Sequence, residues 1–468
     1  MGCYPMIITD QMALDAYYGT GGFATGAYLI QHAQELDDDF AARKSVASYR
    51  NVLRLVVEAY LGTLFATPAT RSGDAPTWAA LQRDADGASG KLDDVMERAT
   101  LLSLLLGTAY LVIDRPPGES RTRADDLARL PYIVLRQPAD VASMALDRRG
   151  VLTRVVFREA ATAAEFGAGA SAPELVYRGW DQQRWWVSKD ALGEQVLTGD
   201  DGNALTAEHG LGLVPVVRLH STLQLEPQAE RAVAWARPLI DIALDGFNRH
   251  SEARAIERDQ TVSTLALPVG DQQERERIRE QGLTIGARNA VMYDPAGGAK
   301  PGYFAPPADP LKLLYEAVSE TREDMYRQAH LEFAGAVNSS GVALSYQLLM
   351  LNRTLAGMAR RIEEAEQRCG EIGCLWMGET ADDLSTSYPQ EFDIDDLLAR
   401  LDEASQALAL DPGPTAARRI KGRAVRQVLG DTATAEDYAE IDAELEAAAL
   451  GQTDPYGDRV AMAGGREV

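Results

Sequence analysis

Cysteine is scarce in this 468-residue sequence: Cys3, Cys369 and Cys374 are the whole complement, an odd number without the spacing of a disulfide framework. That excludes a small stapled scaffold and points to a reduced, intracellular site of folding. Long apolar runs are missing too. The longest, Leu101–Ile113, has 13 residues and closes at Asp114, too short to span a bilayer. No basic segment followed by an apolar one opens the chain, so no signal peptide is expected, and Met at position 6 argues against myristoylation at Gly2. Positive charge is the third shortage: 46 Lys and Arg face 70 Asp and Glu, a net charge of −24. A coat that grips nucleic acid through bulk positive charge is excluded; a protein that surrounds DNA without gripping it is not.

The chemistry of common active sites is also lacking. There is no G-x-x-x-x-G-K-[ST], and neither Ser89-Gly90-Lys91 nor Gly19-Thr20-Gly21-Gly22 has the spacing or strand–turn–helix setting of a phosphate cradle. No H-E-x-x-H and no G-x-S-x-G occurs. The five histidines, His32, His209, His220, His250 and His330, are scattered. Cys369 and Cys374 lie five apart on an expected helix, roughly 140° apart around its axis, which suits partly buried structural thiols better than a metal pair. The expectation is no catalytic residue, no metal ligand and no cofactor.

What remains is a pattern of helices around a β section. Residues 1–40 read as an arm with one short helix, followed by helix from about Ala41 to Ala66, stopped by Pro68. Residues 69–90 read as loop anchored by Trp78 and Leu81, and a second helix covers Lys91 to Leu106. At Gly107 the period switches from helical to strand-like. Strands are expected at Thr108–Ile113, Tyr132–Gln137, Leu152–Arg158, Glu174–Gly179, Arg184–Ser188 and Val214–Leu219, clustered and mostly antiparallel, which makes the class α+β. Of Trp185 and Trp186 on one strand, one should face the core and the other a neighbouring subunit. Helix is expected again from Gln228 to Arg258, with Val233 in its apolar set and a kink at Pro238. A short mixed segment fills 259–308, and a helix runs from Pro310 to His330. After small polar residues, a helix about 45 Å long covers Ala343 to Ile372, with Leu344, Leu348, Leu351, Leu355 and Met358 inward and Arg353, Arg360, Arg361, Glu363, Glu364 and Glu366 in its polar set. Residues 375–390 read as a linker and 391–450 as helical, with Arg418, Arg419, Lys421, Arg423 and Arg426 forming a solvated face.

The informative segment is Phe333-Ala334-Gly335-Ala336-Val337-Asn338-Ser339-Ser340-Gly341-Val342-Ala343-Leu344, which joins two long helices. Ser340 can cap the second, with Gly341 easing the turn. "S-G-V-A-L" ahead of a long amphipathic helix resembles a signature of the portal proteins of tailed bacteriophages. Tyr49-Arg50-Asn51 through Phe65-Ala66-Thr67-Pro68 resembles the portal helix ending in "G-x-L-F-x-x-P". Leu106-Gly107-Thr108-Ala109-Tyr110-Leu111 resembles the "G-x-A-Y" that opens the wing strands, and Leu239–Arg254, with Asn248, the helix leading to the stem. Each match is short; their order and spacing along the chain carry the resemblance.

The resemblance implies a portal fold: an α/β wing, a long-helix stem, a small clip and a C-terminal helical crown, assembled as a ring, usually a dodecamer. It implies the wing at 1–235, a stem helix at 236–258, the clip at 259–309, a second stem helix at 310–332, a tunnel loop at 333–342, a wing helix and linker at 343–390, and the crown and tail at 391–468. The tunnel constriction would be Val337, Asn338, Ser339, Ser340 and Gly341, with Arg249, Arg254, Arg258 and Lys312 near passing DNA. Implied partners are other copies of the chain, double-stranded DNA, the terminase large subunit (whose ATPase would account for the missing phosphate loop), a major capsid or scaffolding protein, and a head-completion or tail adaptor; no membrane is involved. The place would be the portal vertex of the virion, after assembly in the host cytoplasm. From the residues alone, a helical scaffold or adaptor without a DNA role stays open, as does an acidic hydrolase.

Overall fold

The computed structural model describes residues 8–392 apart from 117, 119–121, 123–128, 167–173, 201, 262–263, 270, 274–275, 278–290, 294–301, 305–308 and 332–340, and beyond 392 only residues 419 and 441. The chain divides into two units, Met1–Phe392 and Asp393–Val468. The helices and strands named in this section all belong to the first.

Residues 8–64 hold four helices, where an arm with one short helix and then one long helix are expected: α1 (Asp10–Tyr18), α2 (Gly21–Thr25), α3 (Asp37–Val46) and α4 (Val52–Leu64). Thr9 caps α1 by accepting from the Met12 amide at 3.2 Å, and Asn51 caps α4 by accepting from Arg54 at 2.9 Å. The expected single helix over 41–66 is interrupted at 47–51 because that stretch is bonded elsewhere. Tyr49 donates its hydroxyl to the Ala16 carbonyl at 3.0 Å, and the Ser48 carbonyl accepts from His250 Nδ1 at 2.9 Å. Leu53, Val56, Val57, Tyr60, Leu61 and Leu64 then line one buried face of α4.

The strand β1 (Thr70–Ser72) precedes α5 (Pro76–Arg83), a helix where loop is expected. Pro76 sits in its first turn, and Trp78 and Leu81, the expected anchors, are fully buried. α6 (Leu92–Leu106) ends at Gly107, and β2 (Thr108–Asp114) follows at once. The β section then contains β3 (Tyr132–Arg136), β4 (Val141–Leu146), β5 (Leu152–Ala160), the single turn α7 (Ala163–Phe166), β6 (Leu175–Asp181), β7 (Arg184–Ser188), β8 (Thr206–Glu208) and β9 (Val216–His220). β4 and β8 are additions to the expected set. The strands form two antiparallel sheets, β3-β2-β9 and β4-β5-β6-β7-β8. Tyr110 and Val112 of β2 pack with Val155 and Phe157 of β5 and Trp180 of β6, so the sheets share one apolar core. Trp186 is buried; Trp185 is half-buried and packs against the apolar clusters on the sheet.

Residues 222–236 are irregular, so the next helix, α8 (Arg237–Thr261), begins nine residues later than expected. Pro238 therefore lies in its first turn and causes no kink, and Val233 is 73% exposed rather than core. The irregular run is fixed by side chains: Thr222 donates to the Val233 carbonyl at 2.8 Å, and the Ala232 amide donates to Thr108 Oγ1 at 3.0 Å. A small sheet comes next, with β10 (Thr264–Pro268) parallel to β11 (Val291–Tyr293) and antiparallel to β12 (Gly302–Phe304). α9 (Asp309–Gln328) then returns along α8. Tyr315 donates to Glu257 at 2.9 Å, while Thr321 lies against Gly246 further along, so the two helices run antiparallel.

The long helix α10 (Gly341–Trp376) crosses back over α5, β2 and β9. Among its buried residues, Leu351, Leu355, Met358, Ile362, Ala365, Cys369 and Ile372 form a stripe at alternating steps of four and three. Gly370 and Gly373 give Trp78 and Leu81 of α5 room to press against the helix backbone. Both Cys369 and Cys374 are buried, and burial raises both thiols, Cys374 to about 11. The expected linker includes β13 (Ser385–Ser387), paired antiparallel with β1. Among the described residues no helix is long and apolar enough to cross a membrane, and no group of His, Cys, Asp or Glu could hold a metal ion.

Candidate functional site

The α8–α9 hairpin carries the three-stranded sheet between its helices, and the N-terminal segment is bonded to α8. Arg43, 3% exposed, donates to both carboxylate oxygens of Glu35 at 2.8 and 2.7 Å, to Ser251 Oγ at 2.9 Å and to the Ile30 carbonyl at 2.7 Å. The Arg43 hydrogen bond holds the Glu35 carboxyl below its ordinary range. Asn248 accepts from the Ile30 amide at 2.8 Å and donates to the Tyr28 carbonyl at 3.3 Å. These bonds satisfy buried polar groups at the cost of fixing α3 against α8.

The four basic side chains expected near DNA all lie on this hairpin. Arg249 pairs with Asp245 at 2.8 Å, Arg254 with Glu257 at 3.1 Å, and Lys312 approaches Glu316 at 3.9 Å, each within its own helix and exposed. Arg258 donates to the Ala42 carbonyl at 3.1 Å. The structure thus places them along one hairpin but gives each a local partner; it does not gather them into a positive patch. Val337, Asn338, Ser339 and Ser340 lie outside the described residues, as does the expected crown cluster apart from Arg419, which is exposed. Gly341 is the first residue of α10.

Between α4, α8 and α9 opens a cleft of about 480 Å³. Val52, Leu55, Phe247 and Val318 supply apolar wall, and Arg50, Arg322 and His250 stand at it. His250 is 4% exposed. Its Nδ1 faces the Ser48 carbonyl, which only accepts, so Nδ1 carries the proton. Nε2 is then a bare acceptor, buried without a partner. Burial, with Arg50 nearby, lowers the His250 pKa and keeps the ring neutral.

No family model matches the chain, and no curated protein matches it. Among solved structures it is similar over most of its length to subunits of phage-like particles. One is in the virion of a native gene transfer agent particle, 13% identical, covering 86% of this chain and 94% of that one at a TM-score of 0.35. Another is in the neck of the native particle computed with C12 symmetry, 13% identical, covering 85% and 94% at 0.37. A third is the crystal structure of an HK97-family phage portal protein from Corynebacterium diphtheriae, 11% identical, covering 77% and 97% at 0.36. With every TM-score below 0.5, the functional reading rests on the chain's own residues.

A second polar cluster sits where α10 meets the β1–β13 pair. Glu366, expected on the solvated face of α10, is 0% exposed. It accepts from Arg71 Nε at 2.6 Å and Nη2 at 3.0 Å, from the Tyr388 hydroxyl at 2.6 Å and from Thr386 Oγ1 at 3.3 Å. Arg71 also reaches Asp93 at 2.5 Å. On the same helix Arg361, likewise expected to be solvated, donates to the carbonyls of His220 and Ser221 at 3.1 and 2.7 Å. Sequence spacing alone could not show the Arg71–Glu366 and Arg361 contacts, because those partners are more than 100 residues away.

Proposed function

We propose that the chain is a portal subunit. Copies of it close into a ring at one capsid vertex, through which double-stranded DNA enters during packaging and leaves during ejection. The single observation that carries this reading is the order of elements after the β section: helix, small sheet, antiparallel helix, then a long helix beginning at Gly341 that crosses back over the β2–β9 layer. It is the order that the sequence signatures imply. In this reading 1–235 with much of 343–390 is the wing, the α8–α9 hairpin the stem, 259–309 the clip that meets terminase and later the tail adaptor, and 391–468 the crown. The acidic balance suits a conduit that repels phosphate and lets DNA slide. The work of translocation falls to a separate ATPase.

Negative-stain images of the purified full chain are expected to show rings with a central hole; monomers or dimers at high concentration would contradict the reading. Val337–Ser340 is assigned to the tunnel constriction. Deleting Asn338–Ser340 should leave rings intact and block packaging. Normal DNA-filled heads from that variant would remove the loop from the tunnel.

A further inference from the structure

The cleft between α4, α8 and α9 is lined for a partner that the single chain does not supply. In a chain with 24 more acids than bases, Arg50 and Arg322 stand exposed at this cleft with no carboxylate partner among the described residues; Arg322 reaches only Ser319 Oγ, at 3.4 Å. Leu55, on the cleft wall, is 59% exposed. The reverse of α9 carries the complement. Leu313 is 65% exposed there, and Glu320 and Glu323 are exposed with no cation partner among the described residues. At 100° per residue Leu313 and Glu320 point roughly 160–180° away from Arg322 on the cleft face of the same helix, and Glu323 roughly 100°. One short helix thus shows an arginine-bearing apolar cleft on one side and an acidic apolar face on another.

We infer that the acidic face of α9 in one copy docks on the cleft of the next: Leu313 meets Leu55, and Glu320 and Glu323 face Arg322 and Arg50. The two surfaces differ and lie on different sides of the subunit. The contact is therefore head-to-tail, and repeating it generates a ring when the rotation closes; a two-fold dimer would have to bury one surface against itself. Charge complementarity of this kind sets register and excludes wrong pairings. The docked face also lowers the exposure of two large apolar side chains. The inference rests on the portal reading only for closure of the ring.

Charge reversal tests it. The variant R50E/R322E is acidic on both surfaces and E320R/E323R is basic on both, so neither can pair with itself. Mixed in equal amounts they regain both contacts as an alternating ring. With folding verified by circular dichroism, mass photometry should find subunit-sized particles for each variant alone and rings for the mixture. The milder variants R322A and E323Q, which add no charge, should raise the concentration needed for assembly about tenfold. Parent rings alongside rings from each reversed variant would overturn the interface and leave the portal reading standing. Parent rings with a mixture that stays subunit-sized would overturn it as well. A parent chain that forms no rings would sink the portal reading, and the interface with it.

Discussion

Replacing Glu366 by alanine is expected to destabilise the Met1–Phe392 unit by about 3–5 kcal/mol, the range found when one partner of a buried ion pair is removed. The effect arises from what is left behind. Arg71, only 9% exposed, would keep Asp93, which is 44% exposed, but lose both bonds to the fully buried carboxylate. The Tyr388 hydroxyl and Thr386 Oγ1 would lose their acceptor in the same buried place. Burial alone would push Arg71 toward its neutral form; the carboxylates of Glu366 and Asp93 override it and hold the guanidinium charged. The double replacement Glu366→Leu with Arg71→Met should recover the part of the loss that comes from the unpaired Arg71, while Tyr388 and Thr386 stay without their acceptor. Urea denaturation gives the magnitude. Amide exchange gives the place: the Thr386 and Tyr388 amides, bonded to Gln367 and Glu363, should lose protection in Glu366→Ala first. A loss below about 1 kcal/mol would mean that water satisfies the cluster once it is opened.

The same cluster marks how far the sequence could be read. In α10 the apolar steps of four and three are local, so Leu351, Leu355 and Met358 were legible as core, and α6, β2 and the switch at Gly107 were legible for the same reason. Glu366 was not. Its helical position beside Glu363 and Glu364 looks solvated, and its charge partner lies 295 residues away. The break at 47–51 hid in the same manner, because Val46, Tyr49 and Val52 continue a helical spacing. What stops the helix is the pull of Ala16 on Tyr49 and of His250 on Ser48. Residues 228–236 have a helix-like composition, yet hydroxyls of Thr108, Ser221 and Thr222 take up their backbone groups. β4 escaped because its small residues, Val-Ala-Ser-Met-Ala-Leu, alternate weakly. The candidate site was half legible. The hairpin and its tip could be placed by period and by signature order. The cleft could not, since Arg50, His250 and Arg322 come from three distant segments and only the fold sets them side by side.

Gly107→Ala is expected to be the most damaging single-methyl change in the β section. Gly107 closes α6 at φ +90°, a conformation that side chains rarely adopt, and strain of that kind costs about 1–3 kcal/mol by itself. A methyl group there would also lie 2.1 Å from the Ala232 carbonyl oxygen and 3.1 Å from the Ala234 nitrogen. Both are backbone atoms, so no rotamer change relieves the contact. The run 230–236 would have to lift away. That run is held by Ala236 N to Leu104 O at 2.9 Å, Tyr110 Oη to Glu230 O at 3.0 Å and Ala232 N to Thr108 Oγ1 at 3.0 Å, each worth about 1 kcal/mol. It also starts α8, whose first turn includes Ile240 N to Ala236 O at 2.9 Å. The loss should therefore exceed about 3 kcal/mol in denaturant unfolding and be accompanied by faster amide exchange at Ala232, Ala236 and Ile240. Gly62→Ala is the control: it lies inside α4 with open space around its Cβ position and should gain about 0.5–1 kcal/mol. Because the 230–236 run is the covalent link from the sheets to the hairpin, Gly107→Ala should also loosen any ring built on α8 and α9. A variant as stable as the parent, with unchanged exchange at Ala236, would show that this turn yields without disturbing the hairpin.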